Sequence, residues 1–170
     1  WFIVGNARLG GLGAGDSGFG LVARFAKPGG RLTGVFYRDT DLTVKRLEIL
    51  KEIVPKLKRV VTFYNPGSRV ASESAKLVRE TAGQTEVQFI ERHIASAEDL
   101  QANLRALSVG EVDAYFEVSD AIAVVHTQLI IDAARAKKFA AMFVDDTSVT
   151  QGGLASYSVS RYETGRLSAK

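Results

Sequence analysis

The run Lys58-Arg59-Val60-Val61-Thr62-Phe63-Tyr64-Asn65-Pro66-Gly67-Ser68 decides the fold. Its first half is β-branched and aromatic, the composition of a buried strand, and Asn-Pro-Gly-Ser then turns the chain. From Arg69 to Ala82 the apolar residues recur at helical spacing, and Ser68 stands where an N-cap accepts a bond from an orphan amide. A buried strand, a polar turn and a helix opening on that turn form one half of a βαβ unit. In open parallel sheets the ligand sits at such strand ends.

Outward from this stretch the alternation continues. Upstream, a helix capped by Thr40 or Asp41 carries Val44, Leu47, Leu50 and Val54 on one face and stops at Pro55. Downstream, the helix after Ser68 presents Val70, Leu77, Val78 and Thr81 and ends near Gly83. Glu86 to Glu91 is extended, and Ser96 with Asp99 opens a helix holding Leu100, Leu104 and Leu107. Val112 to Val118 reads as a strand ending on Ser119-Asp120, and one long helix follows, with Ile122, Val125, Leu129 and Ala133 inward. Phe139 to Val144 is a strand ending on Asp145-Asp146-Thr147, and Leu154 to Val159 is extended after Gln151-Gly152-Gly153.

Strands alternating with helices predict an α/β fold, a three-layer parallel sheet with helices on both faces. The expected organisation is a first-lobe remnant and crossover over 1–34, a complete ligand-binding lobe over 35–150, and a return segment over 151–170. At the N-terminal end, Trp1 to Val4 reads as a strand, Gly5 to Gly20 as a glycine-rich loop, Leu21 to Ala26 as a short helix, and Leu32 to Tyr37 as extended with a hinge at Thr33-Gly34. The last residues, from Arg161, begin a helix. The abrupt start on Trp-Phe-Ile-Val, with neither Met nor a charged leader, reads as a cut boundary without a signal peptide.

A chain of 170 residues, 46% hydrophobic and 24% charged, has the composition of a globular protein. With no cysteine there is neither disulfide nor thiolate metal site. The net charge of +3 is dispersed, and even Lys56, Lys58 and Arg59 lack interleaved aromatics, so no nucleic acid partner is expected. Two histidines, His93 and His126, and scattered acids predict no metal and no cofactor. No nucleophile, base and orienting group stand together, so no catalytic residues and no enzyme are expected. Gly13-Ala14-Gly15-Asp16-Ser17-Gly18 matches G-x-G-x-x-G, but it lies too far from the preceding strand to place a pyrophosphate on a helix end.

Several segments together resemble a known family: Asp41 through Pro55, Tyr64-Asn65-Pro66-Gly67, Ala133-Ala134-Arg135-Ala136-Lys137-Lys138 and Gln151-Gly152-Gly153-Leu154-Ala155-Ser156-Tyr157. Upstream, Ala26-Lys27-Pro28-Gly29-Gly30-Arg31-Leu32-Thr33-Gly34-Val35 resembles that family's crossover between lobes. The set is similar to the substrate-binding proteins of ABC uptake transporters, in the branch that includes tryptophan and tyrosine binders. The resemblance spans residues 21 to 170. Family members have two lobes and are nearly twice as long, and their first turn is short with Asp-Pro where this chain has Gly5 to Gly20.

The resemblance implies an extracytoplasmic protein that passes a small polar ligand, an amino acid or a small carboxylic acid, to an ABC transporter permease. Lobes hinged at Thr33-Gly34 and Gln151-Gly152-Gly153 would close on it. Ligand contacts are expected from Tyr64, Asn65 and Ser68 after one strand, Ser119 and Asp120 after another, and Asp145 after a third. Asp120 or Asp145 would meet an ammonium, Ser68 and Ser119 a carboxylate, and Tyr64 would stack. Ser68, Ser119 and Asp120 also suit plain helix caps. Apolar remnants of a first lobe would favour a homodimer. The competing class is a Rossmann-like nucleotide-binding enzyme or regulatory domain.

Overall fold

The computed structural model describes residues 2–6, 33–37 and 39–168. It divides into two compact units, Trp1–Asp39 with Val159–Lys170, and Thr40–Ser158. In the first, β1 (Phe2–Asn6) and β2 (Thr33–Tyr37) pair in parallel, Phe2 opposite Thr33, and the C-terminal helix α7 (Arg161–Ser168) packs against both. Thr33-Gly34 thus lies within a paired strand. The expected Gly5–Gly20 loop falls outside the described residues from position 7 onward, as do the Leu21–Ala26 helix, Asp16 and the glycines from 13 to 18.

The second unit runs α1 (Asp39–Ile53), β3 (Arg59–Tyr64), α2 (Arg69–Gly83), β4 (Gln88–His93), α3 (Ala97–Ala106) and β5 (Ala114–Phe116). It continues with α4 (Ala121–Val125), α5 (Thr127–Lys137), β6 (Ala140–Phe143), α6 (Thr147–Thr150) and β7 (Ala155–Ser156). The strands form one five-stranded sheet in the order β4-β3-β5-β6-β7, and every pairing is parallel. Five of the six β3 residues are buried, so its pleat feeds both faces. On one side Val61 and Phe63 join Tyr115, Ala141 and Phe143 against Leu100 and Leu104 of α3, Ala123 of α4 and Ile130 of α5. On the other, Val60, Tyr64, Ala114, Phe116 and Met142 meet Leu47 and Leu50 of α1 and Ala71, Ala75 and Val78 of α2. The expected three layers are present.

Magnitudes show what holds the layers together. Burying a Phe or Leu contributes about 1.5–3 kcal/mol, whereas water and salt screen an exposed pair such as Lys45–Glu48. Polar fasteners then set the register. The Asp113 carboxylate accepts the Lys58 and Arg59 N–H groups at 2.9 and 2.7 Å, tying β5 to the start of β3. At the far edge, the buried Arg46 of α1 donates Nε to the Tyr157 carbonyl at 2.7 Å, just past β7.

Several local expectations are corrected. The long helix after Asp120 is two helices, broken at His126 (φ −107°, ψ 27°), whose single N–H is shared between the Ile122 and Ala123 carbonyls. The break shifts the buried face to Thr127, Ile130, Ile131 and Ala134 and leaves Val125 76% exposed rather than inward. The fourth strand begins at Gln88 because Glu86 adopts a left-handed turn (φ 55°). β5 is shorter than 112–118, whereas α2 ends at Gly83 as expected, with Gln84 as its cap residue.

Gln151-Gly152-Gly153 is a pinned turn inside this unit rather than a hinge. Gly152 has φ 100°, its carbonyl accepts from Arg135, and a Cβ on Gly153 would stand 2.7–2.9 Å from the Phe143 ring and the Ser148 carbonyl. Leu154 to Val159 contributes only two residues of strand, both to this sheet.

Lys137 illustrates a long-range cap. Its ammonium donates to the carbonyls of Leu104, at 2.7 Å, Arg105, at 3.0 Å, and Leu107, closing the last turn of α3 from another helix. Replacing Lys137 with Met should keep the packing of its stem but orphan these carbonyls. The expected cost is about 1–3 kcal/mol in urea denaturation, with faster amide exchange confined to the end of α3.

Candidate functional site

Because all five strands run the same way, their carboxyl ends share one rim. The chain leaves β3 toward β4 on one side and returns to β5 on the other, so the connections diverge between β3 and β5. That divergence leaves a crevice, the usual ligand position in an open α/β sheet. The turn after β3 brings Asn65 and Ser68 there, and the turn after β5 brings Ser119 and Asp120. Asp145 follows β6, the next strand along.

Asp120 holds the crevice together. It is 1% exposed, and its Oδ1 accepts the N–H groups of Ile122, at 2.9 Å, and Ala123, at 3.1 Å, capping α4. Its Oδ2 accepts the Asn65 N–H at 2.9 Å, crossing from one turn to the other. One carboxylate therefore satisfies three backbone donors, one buried and two partly buried, which an apolar residue there would orphan.

Asn65 makes the turn beyond β3. Its Oδ1 accepts the Gly67 N–H at 2.8 Å and its carbonyl accepts the Ser68 N–H at 2.9 Å. The Nδ2 donor is left without a partner among the described residues. Ser68 caps the fifteen-residue helix α2, its Oγ accepting from Ala71 N–H at a long 3.4 Å. The partly exposed Asn65 and Ser68 thus offer donors beside a positive helix end. Ser119, 6% exposed, sits in the tight turn where Asp120 N–H reaches the Val118 carbonyl at 2.6 Å. Asp145 is half-buried, and its Oδ1 accepts from both the N–H and the hydroxyl of Thr147, at 3.0 and 2.9 Å.

Tyr64 does not stand open on this rim as a stacking surface. It is 4% exposed, packed in the core with Leu47 and Val78, and its hydroxyl donates to Glu91 Oε2 at 2.7 Å. Burial first, and then the Glu91 carboxylate, push that hydroxyl up to about 12. Glu91 also accepts both ends of the Arg79 fork, at 2.7 and 2.8 Å, and exposed His93 meets the Tyr64 ring edge-on at 5.1 Å.

The residue that sequence reasoning missed is Glu117. It is 1% exposed, and its Oε2 accepts the Val144 N–H at 2.9 Å, joining the ends of β5 and β6 directly beneath the rim. The signal was a carboxylate inside the apolar run Ala114-Tyr115-Phe116-Glu117-Val118. Tyr115 stacks against Phe63 with centroids 5.7 Å apart, and its hydroxyl is buried with no hydrogen-bond partner among the described residues. Burial, reinforced by Glu117 and Asp120, raises that hydroxyl well above its ordinary range. No group of three or more metal-binding side chains occurs among the described residues.

Two outcomes follow from this geometry. Asp120→Ala should cost about 2–4 kcal/mol in urea denaturation, combining a lost cap with an orphaned Asn65 N–H, and should speed exchange at Asn65 and Ile122. Glu91 is held below its ordinary range by Arg79, against burial and with help from Tyr64. Its folded value lies below its unfolded one, so its contribution is present above about pH 4.3 and drains as pH falls through the folded value. Denaturation curves between about pH 3 and 7 should therefore show a steeper acid loss for the native chain than for Glu91→Gln.

Comparison with known proteins places the chain in a family. A curated relative, a tyrosine-binding protein from Clostridioides difficile (strain R20291), is 26% identical over 153 residues, covering 87% of this chain and 43% of that protein. A conserved domain protein from Vibrio cholerae O1 biovar El Tor has TM-score 0.73 at 24% identity, covering 88% of this chain and 49% of that one. An ABC domain from Streptococcus pneumoniae, crystallised with L-Trp, has TM-score 0.71 at 19% identity, covering 86% and 50%. A ligand-free, open substrate-binding protein with adhesive properties from Clostridium difficile has TM-score 0.67 at 24% identity, covering 88% and 51%. At these identities the structural likeness is one of fold. The chain spans less than half the length of the curated relative and about half of each solved structure. The sequence pattern of the ABC transporter substrate binding protein family matches residues 13–170, and the chain belongs to that family.

Proposed function

We propose that this chain supplies the ligand-binding rim of a solute-capture protein for an ABC uptake transporter, and that its ligand is an amino acid. The observation that carries the reading is the crevice between the turns after β3 and β5, where donors and acceptors from distant sequence positions converge. The tyrosine-binding relative and the L-Trp complex support an aromatic amino acid as the first ligand to test.

In this reading Asp145, half-buried after β6, receives the ligand ammonium rather than Asp120, which is only 1% exposed. Asn65 Nδ2, the Ser68 and Ser119 hydroxyls and the α2 N-terminus receive the ligand carboxylate. Tyr64 supports the floor from beneath. The unit Thr40–Ser158 carries these contacts. In a two-lobed protein of this family a ligand gripped by both lobes binds the closed state better and so populates it, and a membrane permease would read that state from the extracytoplasmic side. The chain's work is binding, without a chemical step.

Calorimetry with L-tryptophan, L-tyrosine, small aromatic carboxylates, NAD and ATP tests this. Binding of an amino acid, weakened about tenfold by Asp145→Asn through loss of one charge-assisted contact, is the expected result. Binding of NAD or ATP without any amino acid would favour the nucleotide-binding class instead.

A further inference from the structure

Parallel strands are joined by evenly spaced rungs, each residue that faces its neighbour donating an N–H to it and accepting another from it. Between β5 and β6 this pattern begins at the Asp113 carbonyl, which accepts the Ala140 N–H at 3.0 Å. It continues to Glu117, whose N–H donates to the Met142 carbonyl at 2.9 Å. With Tyr115 opposite Ala141 and Phe116 opposite Met142, the register assigns the next N–H, that of Val144, to the Glu117 carbonyl. That N–H goes instead to Glu117 Oε2, at 2.9 Å. The side chain takes the rung that the main chain of the same residue would otherwise fill.

The exchange occurs where the two strands must part. β5 ends at Phe116 and β6 at Phe143, and the chain then leaves for Ser119-Asp120 from one and for Asp145 from the other. A rung through a side chain reaches further than one through a carbonyl, because a carboxylate oxygen stands further from Cα. Glu117 is 1% exposed, and a carboxyl so buried is costly unless it is bonded, so packing alone would favour an apolar residue here. Its oxygen holds Val144, the residue directly before Asp145. On the far side of Asp145, Oδ1 accepts from the N–H and hydroxyl of Thr147, at 3.0 and 2.9 Å. Asp145 is thus held from both directions along the chain.

We propose that Glu117 is a positioning residue of the binding rim: by standing in for the last main-chain rung it parts β5 from β6 and sets Asp145 where a ligand ammonium meets it. The placing of Asp145 stands on this geometry, and its effect on affinity rests on the reading of Asp145 as a ligand contact.

Two substitutions separate acceptor from bulk. Glu117→Gln keeps a carbonyl oxygen for the Val144 N–H, and Glu117→Met fills the space without one. Hydrogen exchange needs no ligand: the Thr147 amide should exchange about tenfold faster in Glu117→Met and at the native rate in Glu117→Gln, while the β3 amides stay protected in both. In calorimetry with L-tryptophan and L-tyrosine, Glu117→Met should weaken binding about tenfold and Glu117→Gln should restore it. Added to Asp145→Asn, Glu117→Met should cost nothing more, since both remove the same contact. An unmoved Thr147 amide, a Glu117→Gln as damaging as Glu117→Met, or a loss that adds in full to that of Asp145→Asn would each overturn the proposal. A native chain that binds neither amino acid would overturn the ligand reading of the rim instead, and Thr147 exchange would still decide whether Glu117 places Asp145.

Discussion

The Asp120 carboxylate is where the architecture of this chain is fastened. A parallel sheet whose strand order reverses must part its connections at one point, and there two turns would otherwise hang loose. One side chain bonds both, taking Asn65 N–H from the β3 turn and two N–H groups from α4. The two turns are therefore held together by hydrogen bonds about 3 Å long. Glu117 repeats the device one strand along, bonding the end of β6 from the end of β5. Solute-binding chemistry needs such a surface, since groups already held in place lose little freedom when a ligand arrives.

The layers beneath divide the work differently. Aromatic rings form a row across one face, Phe63, Tyr115 and Phe143, with centroids 5.7 and 5.8 Å apart. On the other face the small residues Ala71, Ser74 and Ala75 of α2 pack in the buried layer that holds β3. The polar rim rests on this frame, and Tyr64 belongs to the frame rather than to the rim.

Much of this was legible in the sequence, for identifiable reasons. Strands such as Arg59–Tyr64 carry unbroken β-branched and aromatic runs, and the turns after them carry residues that only make sense as turns. The polar strand ends on the rim were legible for the same reason, since Asn65, Ser68, Ser119, Asp120 and Asp145 each follow such a run. What was not legible depends on contacts between distant residues. The break at His126 interrupts a pattern that is helical on both sides, so periodicity reads straight through it. Tyr64 was expected to face a ligand because it ends a strand, but its direction is set by Glu91 and Arg79, twenty-seven and fifteen positions away. The Gly152-Gly153 pair looks like a hinge in sequence, and only the Arg135 guanidinium against Gly152, with the Phe143 ring and Ser148 carbonyl against Gly153, shows why side chains are excluded there.

The edge strand β4 has a consequence for how copies of this molecule behave together. Six residues of parallel backbone, Gln88–His93, line the sheet margin, an obvious template for another strand. Arg79 locks onto Glu91 and Glu111 locks onto Arg92, so the margin is studded with ionised groups already engaged with their own chain. An incoming strand would have to break those pairs or bury them dry, either of which opposes stacking into fibrils. The charges that pull the Tyr64 hydroxyl into place also keep the molecule solitary along that border, so selection for one property carries the other with it.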